Sequence, residues 1–448
     1  MMGKKILAAL LTVAMAAELA ACSGGGAVSS AGTASEGGSA AASASTEKVK
    51  IQFMHQQVEQ ERQTVVQGII QSFEKENPNI EVESIPVNED NLDSKITALG
   101  GSGKLPAVME LSQDQAKTNA KNKFTDTDAV DQIIQQKGED KFYSGTLKVI
   151  KTEDGKNYVG VPLCGWVQGI WVNNSMLKAK GLSAPKTWDD VVSIAKAFYQ
   201  PSSKQYGIAI PTGENAFTEQ VFSQFALSNG ANVFDTNGNV TFDSPLMKEA
   251  VQYYKRLAAY SMPGSTEVAD VKDAFVGKKA PMALYSTYIL SAVEEAGFLS
   301  DLSLVLPQKT TSAAYGCVIA LSISSGLSDV EQQAAEKFVS YMLEDENNIK
   351  WILMAPGGVQ PVLKSVSEDT AYLNNDKIKA LSHLSNDIST AFTNLQVFGT
   401  VGDKNFMAMG DITNKKVIGK VLNDVIVHNA DIDSELAGAK QSIEEIAK

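Results

Sequence analysis

"VKIQFMHQQVEQERQTVVQGIIQSFEKENPNIEVESIP", residues 49–86, sets two periodicities side by side. Residues 49–56 read as a strand. Val65, Val66, Ile69, Ile70 and Phe73 then recur at helical spacing until Asn77-Pro78 stops the helix. "NIEVESIPV" returns as a second strand, "NLDSKITALGGSG" as a helix with a glycine ending, and "PAVMELS" as a third strand. A β-α-β-α-β run of this kind begins an α/β sheet with helices on both faces.

The pattern continues outward. "KTEDGKNYVGVPL" (151–163) places Asp154-Gly155 between β-like arms and predicts a tight hairpin. It leads into "VPLCGWVQGIWVN" (161–173), thirteen residues without a formal charge that contain Cys164, Trp166, Gln168 and Trp171. "SAPKTWDDVVSIAKAF" opens a helix with a capping-box pattern, Thr187 and Asp190, and Trp188 in its first turn reads as packing. "NVFDTNGNVTFDSP" predicts a hairpin at Asn237-Gly238. A calcium loop is a poor fit there, because the glycine is in the fourth position and no glutamate closes the loop. "LMKEAVQYYKRLAAY" is a helix, "VKDAFVGKKAPMALYSTYIL" a helix, strand and turn, and "YGCVIALSIS" another uncharged strand. "DVEQQAAEKFVSYMLEDENNIKWILM" reads as one long helical segment closed by "APGGVQP", and the tail from about Asp369 is helical by pattern.

With 448 residues the chain exceeds what a single core supports, so two lobes are expected. There are 52 acidic residues against 39 basic ones, and Arg62 and Arg256 are the sole arginines. That balance argues against nucleic acid as a partner and suits a neutral ligand. At the amino terminus, Lys4 and Lys5 precede a short apolar run that ends in "LAAC", which reads as an export signal. "LAAC" resembles a bacterial lipobox, implying lipidation at Cys22. Residues 23–46, nearly pure Gly, Ser, Ala and Thr, read as a flexible tether spanning roughly 25 to 30 Å. The expected contact with a membrane is through that lipid alone. Cys164 and Cys317 remain, and their pairing depends on a proximity that spacing does not reveal.

"FEKENPNIEVE", "DGKNYVGVP", "WVNNSMLKAKGLSAPKTWDDVV", "DSPLMKEAVQYYKRL", "DAFVGKKAPMAL" and "APGGVQP", taken in order, resemble the family 1 extracellular solute-binding proteins of ABC importers, the maltose-binding-protein type. The resemblance spans about residues 48–448. It implies a two-lobed periplasmic-binding-protein-like α/β fold of type II with three hinge crossings, at 161–168, 315–321 and 357–361. Lobe one would be 48–162 plus 319–360, and lobe two 163–318 plus 361–448. It further implies a monomer that holds a carbohydrate, mono- or oligosaccharide, in the interlobe cleft and delivers it to ABC permease subunits, with no cofactor and no metal.

A sugar presents a C–H face to aromatic rings and hydroxyls to polar groups, so aromatics beside amides and carboxylates at strand ends are the candidate contacts. Trp166 lies at the first crossing, where the family commonly places a ligand contact, and Gln168 shares its strand face. Asp114 falls where the family often offers a carboxylate, with Gln113 beside it. His55 and Gln56 follow the first strand. Tyr285 and Tyr288 stand where many relatives have a turn ending in tryptophan. Tyr315 and Gly316 replace a segment often glycine-rich and aromatic. Asn215, Phe217 and Gln360 are further candidates. Competing readings are a non-sugar binding protein, a sugar sensor or adhesin, and a secreted glycosidase or thiol hydrolase. A glycosidase requires two facing carboxylates, and no motif nominates a pair. A thiol hydrolase requires a base for Cys164, and the histidines are His55, His383 and His428.

Overall fold

The computed structural model describes residues 48–448; the export signal, Cys22 and the tether lie outside the described residues. β1 (Val49–His55), α1 (Gln60–Glu76), β2 (Ile80–Pro86), α2 (Glu89–Gly101) and β3 (Val108–Ser112) form in the order that the opening stretch predicts. β1 lies between β2 and β3 and is parallel to both. The apolar stripe of α1 is the reason: Val66, Ile69, Ile70 and Phe73 are buried, and Phe73 meets Phe338 edge-on at 5.2 Å.

From β3 the sheet continues antiparallel. β7 (Tyr315–Ile323) joins β3 to β4 (Val161–Asn173), and β4 pairs with β5 (Met282–Ser286) and β6 (Leu302–Val305). β4 carries the sheet from one half to the other. Residues 161–168 pair with β7, whereas residues 168–172 pair with β5. Every β4 residue except Trp166 is buried. A strand covered on both faces reads as a continuous apolar run, which accounts for its lack of charge. In its second half the side chains alternate between two cores. Trp171 joins the cluster built on β1, β3 and α1, while Ile170 and Val172 join a second cluster with Trp188, Phe222, Tyr253 and Leu422. Trp188 packs as its position predicts, stacked at 4.0 Å on Tyr253 with its indole N–H donating to Ser228 Oγ.

The backbone is crowded at Gly165. It lies opposite Val318 of β7, and it exchanges two hydrogen bonds with Gln360, at 3.1 and 2.8 Å. A Cβ at this position would sit 2.7 Å from the Cys317 carbonyl oxygen. Glycine is what allows three chain segments to approach here.

Some local expectations change. The arms around Asn237-Gly238 make a single bridge, Phe234 to Val240, because Asp235 Oδ1 accepts the Asn237 and Asn239 N–H groups and curls the loop on itself. The segment 329–354 is two helices, Asp329–Met342 and Asp345–Ile352, divided at Leu343-Glu344, where Glu344 takes the extended conformation of an N-cap. The helical tail is interrupted by a short hairpin, Thr400–Val401 with Lys404–Asn405.

Gly165→Val should destabilise the fold by about 1–3 kcal/mol through overpacking. Thermal unfolding measures this as a melting temperature lower by several degrees, whereas Gly68→Ala, in helix α1 where a Cβ meets open space, should cost less.

Candidate ligand cleft

The carboxyl ends of β1 and β3 and the crossing segments of β4 and β7 border a cavity of about 720 Å³. Antiparallel register determines which side chains share one face of the crossing. Cys164 stands opposite Ile319, Trp166 opposite Cys317 and Gln168 opposite Tyr315. Trp166 and Tyr315 meet at 5.8 Å between ring centroids. Tyr288, on the turn after β5, and Trp351, on the helix Asp345–Ile352, add aromatic surface. The polar wall is Gln56, Gln57 and Glu59 after β1, Arg62 of α1, Glu110 and Ser112 of β3, Asp114, and Gln220.

Asp114 occupies the first turn of α3 (Gln113–Lys121), whose entry is a capping box between Ser112 and Gln115. Lys117 Nζ lies 3.6 Å from Asp114, and burial pushes the Lys117 ammonium below its ordinary range. Glu110 is only 3% exposed. Its carboxylate accepts from the Gln56 backbone N–H at 2.8 Å and from the Gln57 side-chain amide at 2.9 and 3.2 Å. Burial raises its carboxyl to about 7, against the opposing pull of those donors and the nearby Arg62.

Of the candidates from sequence, the structure brings Gln56, Asp114, Trp166, Tyr288 and Tyr315 onto one wall. The others make contacts within the protein. His55 is fully buried, its Nε2 bonded to Ser84 Oγ at 2.7 Å and its Nδ1 accepting the Gln57 N–H. Burial lowers its imidazole to about 4, so the ring stays neutral and orders the Gln56-Gln57 loop from behind. Gln113 stitches α3 to β7, donating to Gly316 O and accepting from Val318 N–H, each at 3.2 Å. Gln168 accepts from Gln224 at 2.7 Å, and Gln360 donates to Gly357 O at 2.6 Å. Tyr285 packs edge-on against Phe217, and its carbonyl accepts the Trp171 indole N–H. Asn215 caps the helix Ala216–Ser228. Gly316 is a close-approach glycine, since a Cβ there would lie 2.5 Å from the Trp166 carbonyl oxygen.

Glu110 was not among the sequence candidates. Its signal was a lone charge inside the apolar strand "PAVMELS", on the same face as Ser112 by alternation. Cys164 and Cys317 are thiols, not joined in a disulfide. They stand diagonally across the β4–β7 pair, Cys164 opposite Ile319 and Cys317 opposite Trp166. Burial pushes the Cys164 thiol well above its ordinary range, the opposite of an activated nucleophile. Among the described residues, no cluster of His, Cys, Asp and Glu is suited to a metal ion.

Residues 68–383 match the family described as bacterial extracellular solute-binding protein. The chain belongs to that family. YcjN of Escherichia coli (strain K12), named as an ABC transporter periplasmic-binding protein, is 45% identical over 398 residues, covering 89% of this chain and 93% of its own. The multiple sugar-binding protein of Streptococcus mutans is 25% identical over 316 residues, covering 66% and 71%. Among solved structures, the sugar-binding protein MalE from Xanthomonas citri superposes with a TM-score of 0.74 at 16% identity, covering 89% of this chain and 97% of its own. A sugar transporter from Arthrobacter chlorophenolicus with bound laminaribiose gives 0.68 at 17%, covering 90% and 100%. These likenesses establish the two-lobed solute-binding fold.

The raised Glu110 carboxyl has a measurable effect on this solute-binding protein. In the folded chain it holds its proton up to about pH 7, whereas the unfolded group releases it near 4.5. The stability it contributes is therefore complete below about pH 4.5 and is lost as pH rises through about 7. Glu110→Gln removes this loss. Its melting temperature relative to the parent protein should rise by several degrees between about pH 5 and pH 8, and scanning calorimetry at both values checks it.

Proposed function

We propose that the protein is the substrate-binding component of an ABC importer, capturing an extracellular mono- or oligosaccharide and delivering it to the permease. The observation that carries this is the cavity wall. Trp166, Tyr288, Tyr315 and Trp351 supply ring faces for sugar C–H groups, while Gln56, Glu110, Asp114 and Gln220 supply hydrogen-bonding partners for hydroxyls. YcjN and the sugar-binding relatives support the same role.

In this reading, residues 48–162 plus 319–360 move as one lobe and 163–318 plus 361–448 as the other. The segments meeting at Gly165 act as the hinge, and a ligand that touches both lobes biases the protein toward the closed form. The monomer is held at the outer face of the membrane by a lipid on Cys22. Among the described residues no helix is long and apolar enough to cross a membrane, which accords with an anchor of that kind.

Trp166→Ala should weaken sugar affinity tenfold or more, about 1.4 kcal/mol per decade, with an unchanged circular dichroism spectrum. Isothermal titration against a panel of glycans reads this out. Binding of a peptide, polyamine or metal in place of every glycan would defeat the carbohydrate assignment. Cys22→Ser should release the protein from membranes into the medium, as fractionation would detect.

A further inference from the structure

Glu110 combines three features that no other cleft residue shares. It is nine-tenths buried or more, it faces the cavity, and its protein partners are the neutral donors of Gln56 and Gln57. Arg62, the adjacent cation, is directed elsewhere, donating to Gln57 Oε1 at 3.4 Å and pairing with Glu59 at 3.6 Å. A carboxylate offers about four lone-pair sites, and three hydrogen bonds leave capacity for one more donor. The surrounding wall of Cys164, Ile319, Trp351 and Tyr288 is weakly polar, so a donor from the ligand would interact strongly there.

We propose that Glu110 is the specificity-determining anchor of the cleft: its carboxylate accepts a hydroxyl from the innermost part of a neutral ligand, excludes ligands that present a carboxylate there, and couples capture to release of a proton. The inference rests on the carbohydrate reading above. An accepted hydroxyl favours the ionised carboxylate. In the empty protein burial disfavours that form and holds the carboxyl protonated up to about pH 7. Ligand capture below that pH therefore expels the proton into solvent.

The titratable or charged groups that line the cavity with Glu110 are Glu59 at the N-cap of α1, Arg62 in its first turn, Asp114 from α3, Cys164 from β4, Tyr288 from its turn and Cys317 from β7, and His55 lies buried behind the Gln56-Gln57 loop. His55 is pushed down to about 4, and Cys164 and Tyr288 are pushed up by burial, so these three stay neutral near neutral pH. Glu219 is the confounder. It too is raised to about 7 by burial, but it lies behind the wall, where its carboxylate accepts the Thr413 hydroxyl at 2.6 Å.

The test is isothermal titration of the intact protein, from about pH 5.5 to 8, with maltose, laminaribiose, tagatose, glucose and galactose as neutral probes and glucuronate and galacturonate as the acidic counterparts of the last two. The expected result is affinity for a neutral probe that rises with pH, by at most tenfold per unit, and levels off above about pH 7. Proton release should appear as a dependence of the heat on buffer ionisation enthalpy. Glu110→Gln should bind more weakly at pH 8 and show no slope, whereas Glu219→Gln should keep the slope. The uronates should bind at least tenfold more weakly than the neutral probes.

A neutral probe that binds with a flat or reversed profile, or a slope retained in Glu110→Gln, overturns the anchor and leaves the carbohydrate reading standing. So does a uronate bound as tightly as its neutral counterpart. Binding of none of the probes counts against the carbohydrate reading and removes the anchor with it.

Discussion

The architecture depends on how closely three stretches of backbone approach one another at Gly165. There β4 pairs with β7 on one side and with the Gln360 segment on the other, and a Cβ would collide with the Cys317 carbonyl. Main-chain hydrogen bonds thereby hold together segments whose buried neighbours, Cys164, Val167, Val318 and Val362, all belong to the first core. In the proposed hinge the bend would fall on the few torsions where these segments cross. The same approach puts Trp166, Tyr315, Cys164 and Ile319 on one face, so the junction and the cleft wall are built from the same residues.

Behind this wall lies a layer of amides whose work is internal. Gln113 clamps α3 to β7, Gln168 meets Gln224, and Gln360 closes on Gly357. Asn348 supports the crossing from below by donating to the Leu163 carbonyl at 2.8 Å. Such bonds satisfy backbone groups that the irregular crossing would otherwise leave buried and unpaired. Asp114 gains most from them, because the helix that carries it is fastened to β7 at its first residue.

The order of strands and helices was legible because periodicity survives without tertiary context: the stripe of α1 and the alternation of β1 required nothing else. Trp166, Tyr315 and Asp114 were legible as cleft residues through the family resemblance and their places at strand ends and crossings. The amides were not. Whether Gln113 faces a ligand or a neighbouring carbonyl is decided by a strand 200 residues away in sequence, and Gln168, although on the same face as Trp166, is covered by Gln224. Glu110 showed the reverse problem. A charge within an apolar strand was visible, but the two donors that make its burial tolerable come from the loop after β1, and no local pattern reveals them.

Of the chain's four tryptophans three are buried, and Trp166 is the half-exposed one. Trp171 and Trp188 are sealed in the two cores, each with its indole N–H already bonded, while Trp166 and Trp351 border the cavity. A ligand in the cleft would meet the Trp166 ring, whereas Trp171 and Trp188 lie out of its reach. The protein thus carries an internal reference and an internal reporter in one spectrum, so cleft occupancy can be followed optically with no label attached.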